Sequence, residues 1–89
     1  MDTITTVADA KRWDSYLAET MSKLFKLNKK YDASYSYFQG DEDTIEYCEM
    51  TGSPVMDFSM FNGKKYVKFY VYVNSSIKEF DEFVKSNQF

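Results

Sequence analysis

A chain of 89 residues that contains no histidine has few routes to catalysis. The gap removes the usual general base, the serine-histidine and cysteine-histidine nucleophile pairs, and the commonest zinc ligand. Cys48 is the single thiol. A nucleophilic cysteine needs a neighbour that stabilises its thiolate. Glu46 and Glu49 do the reverse, so Cys48 reads as a small, half-buried apolar residue. Asp41, Glu42, Asp43 and Glu46 supply hard oxygen ligands of the kind calcium and magnesium take. Their spacing lacks the central glycine and closing glutamate of a twelve-residue EF-hand loop, and an acidic turn in water is the simpler account. Acid-base hydrolysis by the same carboxylates would need a cleft between them. None of the three glycines belongs to a phosphate-cradling loop. The expectation is a non-enzyme without cofactor or metal.

The feature left over is a face of tyrosines. In "KKYVKFYVYV", residues 64–73, Val67, Phe69, Val71 and Val73 fall on one parity, and Tyr66, Lys68, Tyr70 and Tyr72 on the other. Side chains alternate across a strand, so one parity is a core face and the other meets water or a partner. Tyrosine suits recognition: its rigid ring gives apolar contact, its hydroxyl gives a directional hydrogen bond, and few torsions are frozen on binding. Tyr66, Lys68, Tyr70 and Tyr72, together with the acidic Asp41, Glu42, Asp43 and Glu46, are therefore the candidate protein-binding residues. Packing among the tyrosines as sheet-stabilising aromatics is the competing account.

The elements that must position these residues follow from periodicity. From Val7 to about Lys29 the apolar residues Ala10, Trp13, Leu17, Met21, Leu24 and Leu27 recur at steps of three and four, which predicts an amphipathic helix. Thr6 is its expected N-cap and Asp9 the capping-box partner. After Lys30 the period falls to two. "YDASYSYFQ" and "TIEYCEMT", either side of "GDED", read as a hairpin that sets Phe38 opposite Ile45, Tyr37 opposite Glu46 and Tyr35 opposite Cys48. Ala33, Tyr35, Tyr37, Cys48 and Met50 share one side of that hairpin, slightly the more core-like, and Phe38, Ile45 and Tyr47 share the other. "TGSP" turns the chain. A second hairpin is centred on Asn62-Gly63, a pair favoured in type I′ turns, with Phe58 opposite Val67, Met56 opposite Phe69, Ser59 opposite Tyr66 and Asp57 opposite Lys68. Ser76 and Glu79 form a capping box for a short closing helix bearing Ile77, Phe80, Phe83 and Val84. The predicted fold is α+β, a single domain over residues 1–89 in the order αββββα, with a four-stranded antiparallel sheet and both helices on one face.

Composition bounds the function class. Eight Tyr, eight Phe and one Trp argue against disorder. Eleven basic against fourteen acidic residues give a net charge of −3, which disfavours direct binding to nucleic acid or an anionic membrane. One cysteine gives no internal disulfide, and neither a signal peptide nor a long apolar span is visible, so a cytoplasmic protein is expected. The reading that fits is a small inhibitor that occupies a surface of a larger protein, such as a nucleic-acid-binding enzyme whose basic groove the acidic residues would match. Chains of this size and composition are typical of phage and mobile-element inhibitors of host nucleases and defence systems, including anti-CRISPR proteins. This is an analogy of size and composition only. An immunity protein or antitoxin, and a homodimer that buries the tyrosines, are the other two expectations.

Overall fold

The computed structural model describes residues 3–88. Its order is α1 (Val7–Leu27), β1 (Asp32–Ser36), α2 (Glu42–Thr51), β2 (Met56–Phe61), β3 (Tyr66–Val71) and α3 (Ile77–Ser86). The sheet is antiparallel in the order β1-β2-β3. Three strands and three helices thus replace the expected four strands and two helices.

The difference lies in "DEDTIEYCEMTG", which is helix α2 rather than a strand. Asp41 caps it by accepting from the Thr44 amide, and the Thr44 hydroxyl accepts from the Asp41 amide in return. Glu42 and Asp43 stand in the first turn, where carboxylates favour the positive end of the helix dipole. Gly52 ends the helix at φ +71°, a left-handed conformation that glycine adopts without a Cβ penalty. Ile45 and Cys48, three residues apart, are buried, while Tyr47 and Met50 face outward. Short segments satisfy either period, and here the caps at both ends decide. The expected pairings Phe38 with Ile45, Tyr37 with Glu46 and Tyr35 with Cys48 therefore do not occur. β1 pairs with β2 instead, setting Tyr35 opposite Phe58 and Ala33 opposite Met60. Of the side assigned to the core, Ala33, Tyr35 and Cys48 do turn inward, whereas Tyr37 and Met50 are exposed.

The second hairpin forms with a register two residues away from the expected one. Phe58 lies opposite Phe69, Met56 opposite Val71, Ser59 opposite Lys68 and Asp57 opposite Tyr70. The Asp57-Lys68 cross-strand pair is thereby lost. Each strand keeps its faces, because a shift of two preserves parity. The turn explains the shift. Gly63 has φ +94° and Asn62 does not have a positive φ, so the loop is Gly63-Lys64 with glycine first, the type II′ pattern rather than I′. The Asn62 amide donates to the Lys65 carbonyl. The Asn62 side chain is buried: Oδ1 accepts from the Lys64 and Lys65 amides, and Nδ2 donates to the Asn87 carbonyl at 2.8 Å.

One face of the sheet carries the core. Met56, Phe58, Met60 and Val71 are buried there against Trp13, Leu17 and Leu24 of α1 and Phe80 and Val84 of α3. Phe80 is fully buried, with ring contacts to Trp13, Tyr16, Phe58, Phe69 and Phe83. α1 and α3 thus share that face, and both begin with the expected capping boxes, Thr6 with Asp9 and Ser76 with Glu79.

Candidate functional site

Strand alternation leaves the opposite face of the sheet uncovered. Across it the register builds three rungs: Asp32, Phe61 and Tyr66; Ser34, Ser59 and Lys68; Ser36, Asp57 and Tyr70. Rungs on one face are about 7 Å apart along the strands. Tyr66 is 72% exposed and Tyr70 46%. The Phe61 and Tyr66 rings are 4.9 Å apart between centroids, and Lys68 Nζ sits 5.7 Å from the Tyr70 ring centre. The three small serines on β1 and β2 leave β3 as the raised, aromatic side of an otherwise low surface. Large exposed rings beside a cation provide apolar contact area, hydroxyl hydrogen bonds and cation-π attraction in one patch.

Tyr72 lies beyond the end of β3, where its amide donates to the Ser75 hydroxyl. It is 38% exposed and lines a shallow depression with Cys48, Glu49 and Gly52 of the α2 end and Val73 and Asn74. The tyrosine face therefore runs at this end into α2.

The acidic residues serve α2 before they serve any ligand. Asp41 is the N-cap, and a Glu42 carboxylate oxygen accepts from the Val7 amide at 3.0 Å, which ties the start of α2 to the start of α1. Glu46 and Glu49 line a second depression with Ile4, Thr5 and Ile45. The eight candidate residues thus fall into two adjoining patches, the β3 face and α2, and not into one pocket. Among the described residues no three of the His, Cys, Asp or Glu side chains come together as a metal-binding group. Cys48 is buried, with Sγ 3.7 Å from the Pro54 carbonyl oxygen.

Two residues that the sequence marked only as surface or turn prove to hold the frame. Asp14 is an α1 residue outside the apolar stripe; its two carboxylate oxygens accept from the Phe38 amide at 3.0 and 3.1 Å, fixing the segment between β1 and α2. Burial pushes its carboxyl above the usual range, against the opposing influence of that amide and of Lys11. Asn62, read as a turn former, is the link between the β2-β3 turn and the end of α3. Neither role has a local signature, since each partner lies 24 or 25 residues away in sequence.

Two other titrating groups sit on α1. The Thr5 amide, aided by the Thr5 hydroxyl and the Thr6 groups, lowers the Asp9 carboxyl to about 2. The Tyr16 hydroxyl donates to Asp81 at 2.5 Å, and this bond, with burial and the nearby carboxylates, raises Tyr16 to about 12. Comparison of the chain with protein-family models, with curated proteins and with solved structures finds no match.

Proposed function

We propose that the chain is a non-enzymatic, protein-binding inhibitor that docks through the uncovered sheet face onto a larger protein with a basic contact surface. The observation that carries this reading is the exposure of Tyr66, Tyr70 and Tyr72 around Lys68 on a sheet whose other face is already filled. Aromatic residues that make no core contact cost solubility unless they are used, and tyrosine is enriched where binding energy concentrates. The charge of the partner is argued from complementarity. Asp57 faces Tyr70 across the strands, and Tyr72 adjoins Glu49 on α2, whose exposed surface also carries Glu42, Asp43 and Glu46. Such a surface fits a partner rich in lysine and arginine, as enzymes that handle nucleic acids are. The assignment to host nucleases or defence effectors, anti-CRISPR targets among them, rests on this charge match and on the size of the chain.

The test is a comparison of the wild-type chain with Tyr70→Ala/Tyr72→Ala, first in capture from host lysate and then in direct titration of whatever basic protein is recovered. The double variant should bind at least about 30-fold more weakly, as expected for the loss of about 2 kcal/mol at anchor residues. Its melting temperature should stay close to that of the parent. Wild-type protein should silence the captured enzyme at one-to-one stoichiometry. Equal affinity of variant and parent would sink the reading. So would a melting temperature that climbs with wild-type concentration and stops climbing in the variant, because the partner would then be a second copy of the chain.

A further inference from the structure

The sheet has two edges, and the hydrogen bonds treat them differently. The Asn62 amide donates to the Lys65 carbonyl and closes the β2-β3 turn, so residues 62 and 65 are a hydrogen-bonded pair. Such pairs recur at every second position of an antiparallel ladder. The register therefore directs the backbone groups of Val67, Phe69 and Val71 to β2 and turns those of Tyr66, Lys68 and Tyr70 to the outer edge of β3. β3 is the last strand of the sheet, and among the described residues no group bonds to the outward amides or carbonyls of these three. Tyr72, next in the series, is closed off by Ser75, whose hydroxyl accepts from its amide and whose amide donates to its carbonyl. The other edge is shorter and guarded. β1 turns only Ala33 and Tyr35 outward, the Ala33 amide already donates to the Asp32 carboxylate, and α1 packs against the strand.

An unpaired edge is a template for one more strand. A second copy of the chain fits it badly. The antiparallel pairing of β3 with itself that uses all three outward residues sets Tyr66 across from Tyr70 and Lys68 across from Lys68, and like charges directly opposite destabilise a ladder. A strand from another protein is free of that conflict, and the flanking side chains define what it must carry. Opposite Lys68 a carboxylate is favoured. On either side the rungs that end in Tyr66 and Tyr70 contain Asp32 and Asp57, so a cation there meets an aromatic ring with an acid behind it. The side chains between these positions turn to the other face, where Val67, Phe69 and Phe83 are only half-buried and the Phe69 and Phe83 rings lie 5.4 Å apart. We infer that β3 receives an extended segment of the partner as a fourth strand, with the pattern basic, apolar, acidic, apolar, basic centred on Lys68. The inference rests on the protein-binding reading and concerns how that partner is held.

The probe is the peptide acetyl-Thr-Arg-Val-Glu-Val-Arg-Thr-amide, and the readout is amide hydrogen exchange of the full chain resolved by NMR. In the free chain the Tyr66, Lys68 and Tyr70 amides should exchange at least about 100-fold faster than those of Val67, Phe69 and Val71. Peptide at about ten times its Kd should slow the three outer amides about tenfold, since only the unbound fraction exchanges. The charge-swapped peptide acetyl-Thr-Glu-Val-Arg-Val-Glu-Thr-amide should bind at least about fivefold more weakly. Lys68→Pro removes an outward N–H that β2 does not use, a change an edge strand tolerates. It should weaken binding of the peptide and of the captured partner at least about tenfold beyond Lys68→Ala. Melting curves check that the proline variant folds, and the exchange of the wild-type chain decides if it does not. Outer amides already protected in the free chain, or unchanged by the peptide, overturn the inference, and so does equal binding of the two peptides. Failure of the protein-binding reading looks different, because Tyr70→Ala/Tyr72→Ala then leaves capture unchanged. Where that double variant weakens capture and Lys68→Pro only matches Lys68→Ala, the face docks through side chains alone, so the reading stands and strand addition falls.

Discussion

At the scale of single residues, hydrogen bonds tie elements together and make clear predictions. Asn62 is buried and serves three backbone groups, and no described buried side-chain nitrogen or oxygen lacks a partner. Asn62→Ala should cost about 2 kcal/mol or more, because each stranded buried group carries a penalty of roughly 1–3 kcal/mol. Asn62→Asp keeps the two acceptor bonds and loses the donor to Asn87, so its melting temperature should fall between those of alanine variant and parent. The titrating residues predict how stability follows pH. Asp9, depressed to about 2 from an ordinary 3.8, contributes stability that is present above 3.8 and is lost as pH falls toward 2. Asp9→Asn should flatten that acid limb in pH-dependent melts. Tyr16 has a raised value, so its contribution is complete below 10 and is lost as pH rises through about 12. Tyr16→Phe should remove the alkaline loss over that window. Asp14 is raised by burial, so its ionisation opposes folding above its own pKa, and Asp14→Asn should hold the Phe38 amide without that opposition.

Among the elements, helix caps and turns decide more than propensity does. Ser76→Ala should destabilise the chain by about 1 kcal/mol, the usual value of an N-cap, and lower the melting temperature by about 4–8 °C for a domain of this size. Asp41 now belongs to the same class: exchanging the acidic residues of α2 for neutral ones touches a cap and the Val7 tie as well as surface charge. Asp41→Ala should therefore lower the melting temperature, while Asp41→Asn, itself a good cap, should not. Gly63→Val should cost at least about 1 kcal/mol, since a β-branched residue resists positive φ. A Cβ there would also come within 2.9 Å of the Lys30 side chain.

For the molecule as a whole, the core and the charge distribution set the behaviour. Phe80 joins both covering helices to the sheet, so Phe80→Ala should cost about 3–5 kcal/mol. A domain of this length has roughly 4–13 kcal/mol in total, which places the variant near or past unfolding at ambient temperature. The acidic first turn of α2 and the lysines of the β2-β3 turn lie at opposite ends of α1. Lys64→Glu/Lys65→Glu and Glu46→Lys/Glu49→Lys should thus change stability additively, within about 0.5 kcal/mol. Coupling between them that grows with protein concentration would mean that the acidic end of one copy meets the basic end of another.

Some of this was legible in the residues themselves. The Thr6 and Ser76 caps, the stripe of α1 and the alternation of β3 are local patterns, and a local pattern fixes which faces an element has. That is why Val67, Phe69 and Val71 turn toward the core and Tyr66, Lys68 and Tyr70 away from it, even though the pairing of β2 with β3 is shifted by two. The identity of α2 was also written locally, in Asp41, Thr44 and Gly52, but Tyr47 and Cys48 fit a strand nearly as well. The caps at both ends, together with the burial of Ile45 in the core, settled the competition. What tertiary structure alone decided were the partners across long separations: Asp14 with Phe38, Asn62 with Asn87, and β1 with β2 rather than with the segment that follows it. It also decided where the charges lie. Composition sums them without regard to position, whereas the 21-residue α1 holds the carboxylates in the first turn of α2 farther from Lys30 and the β2-β3 turn than salt lets them interact.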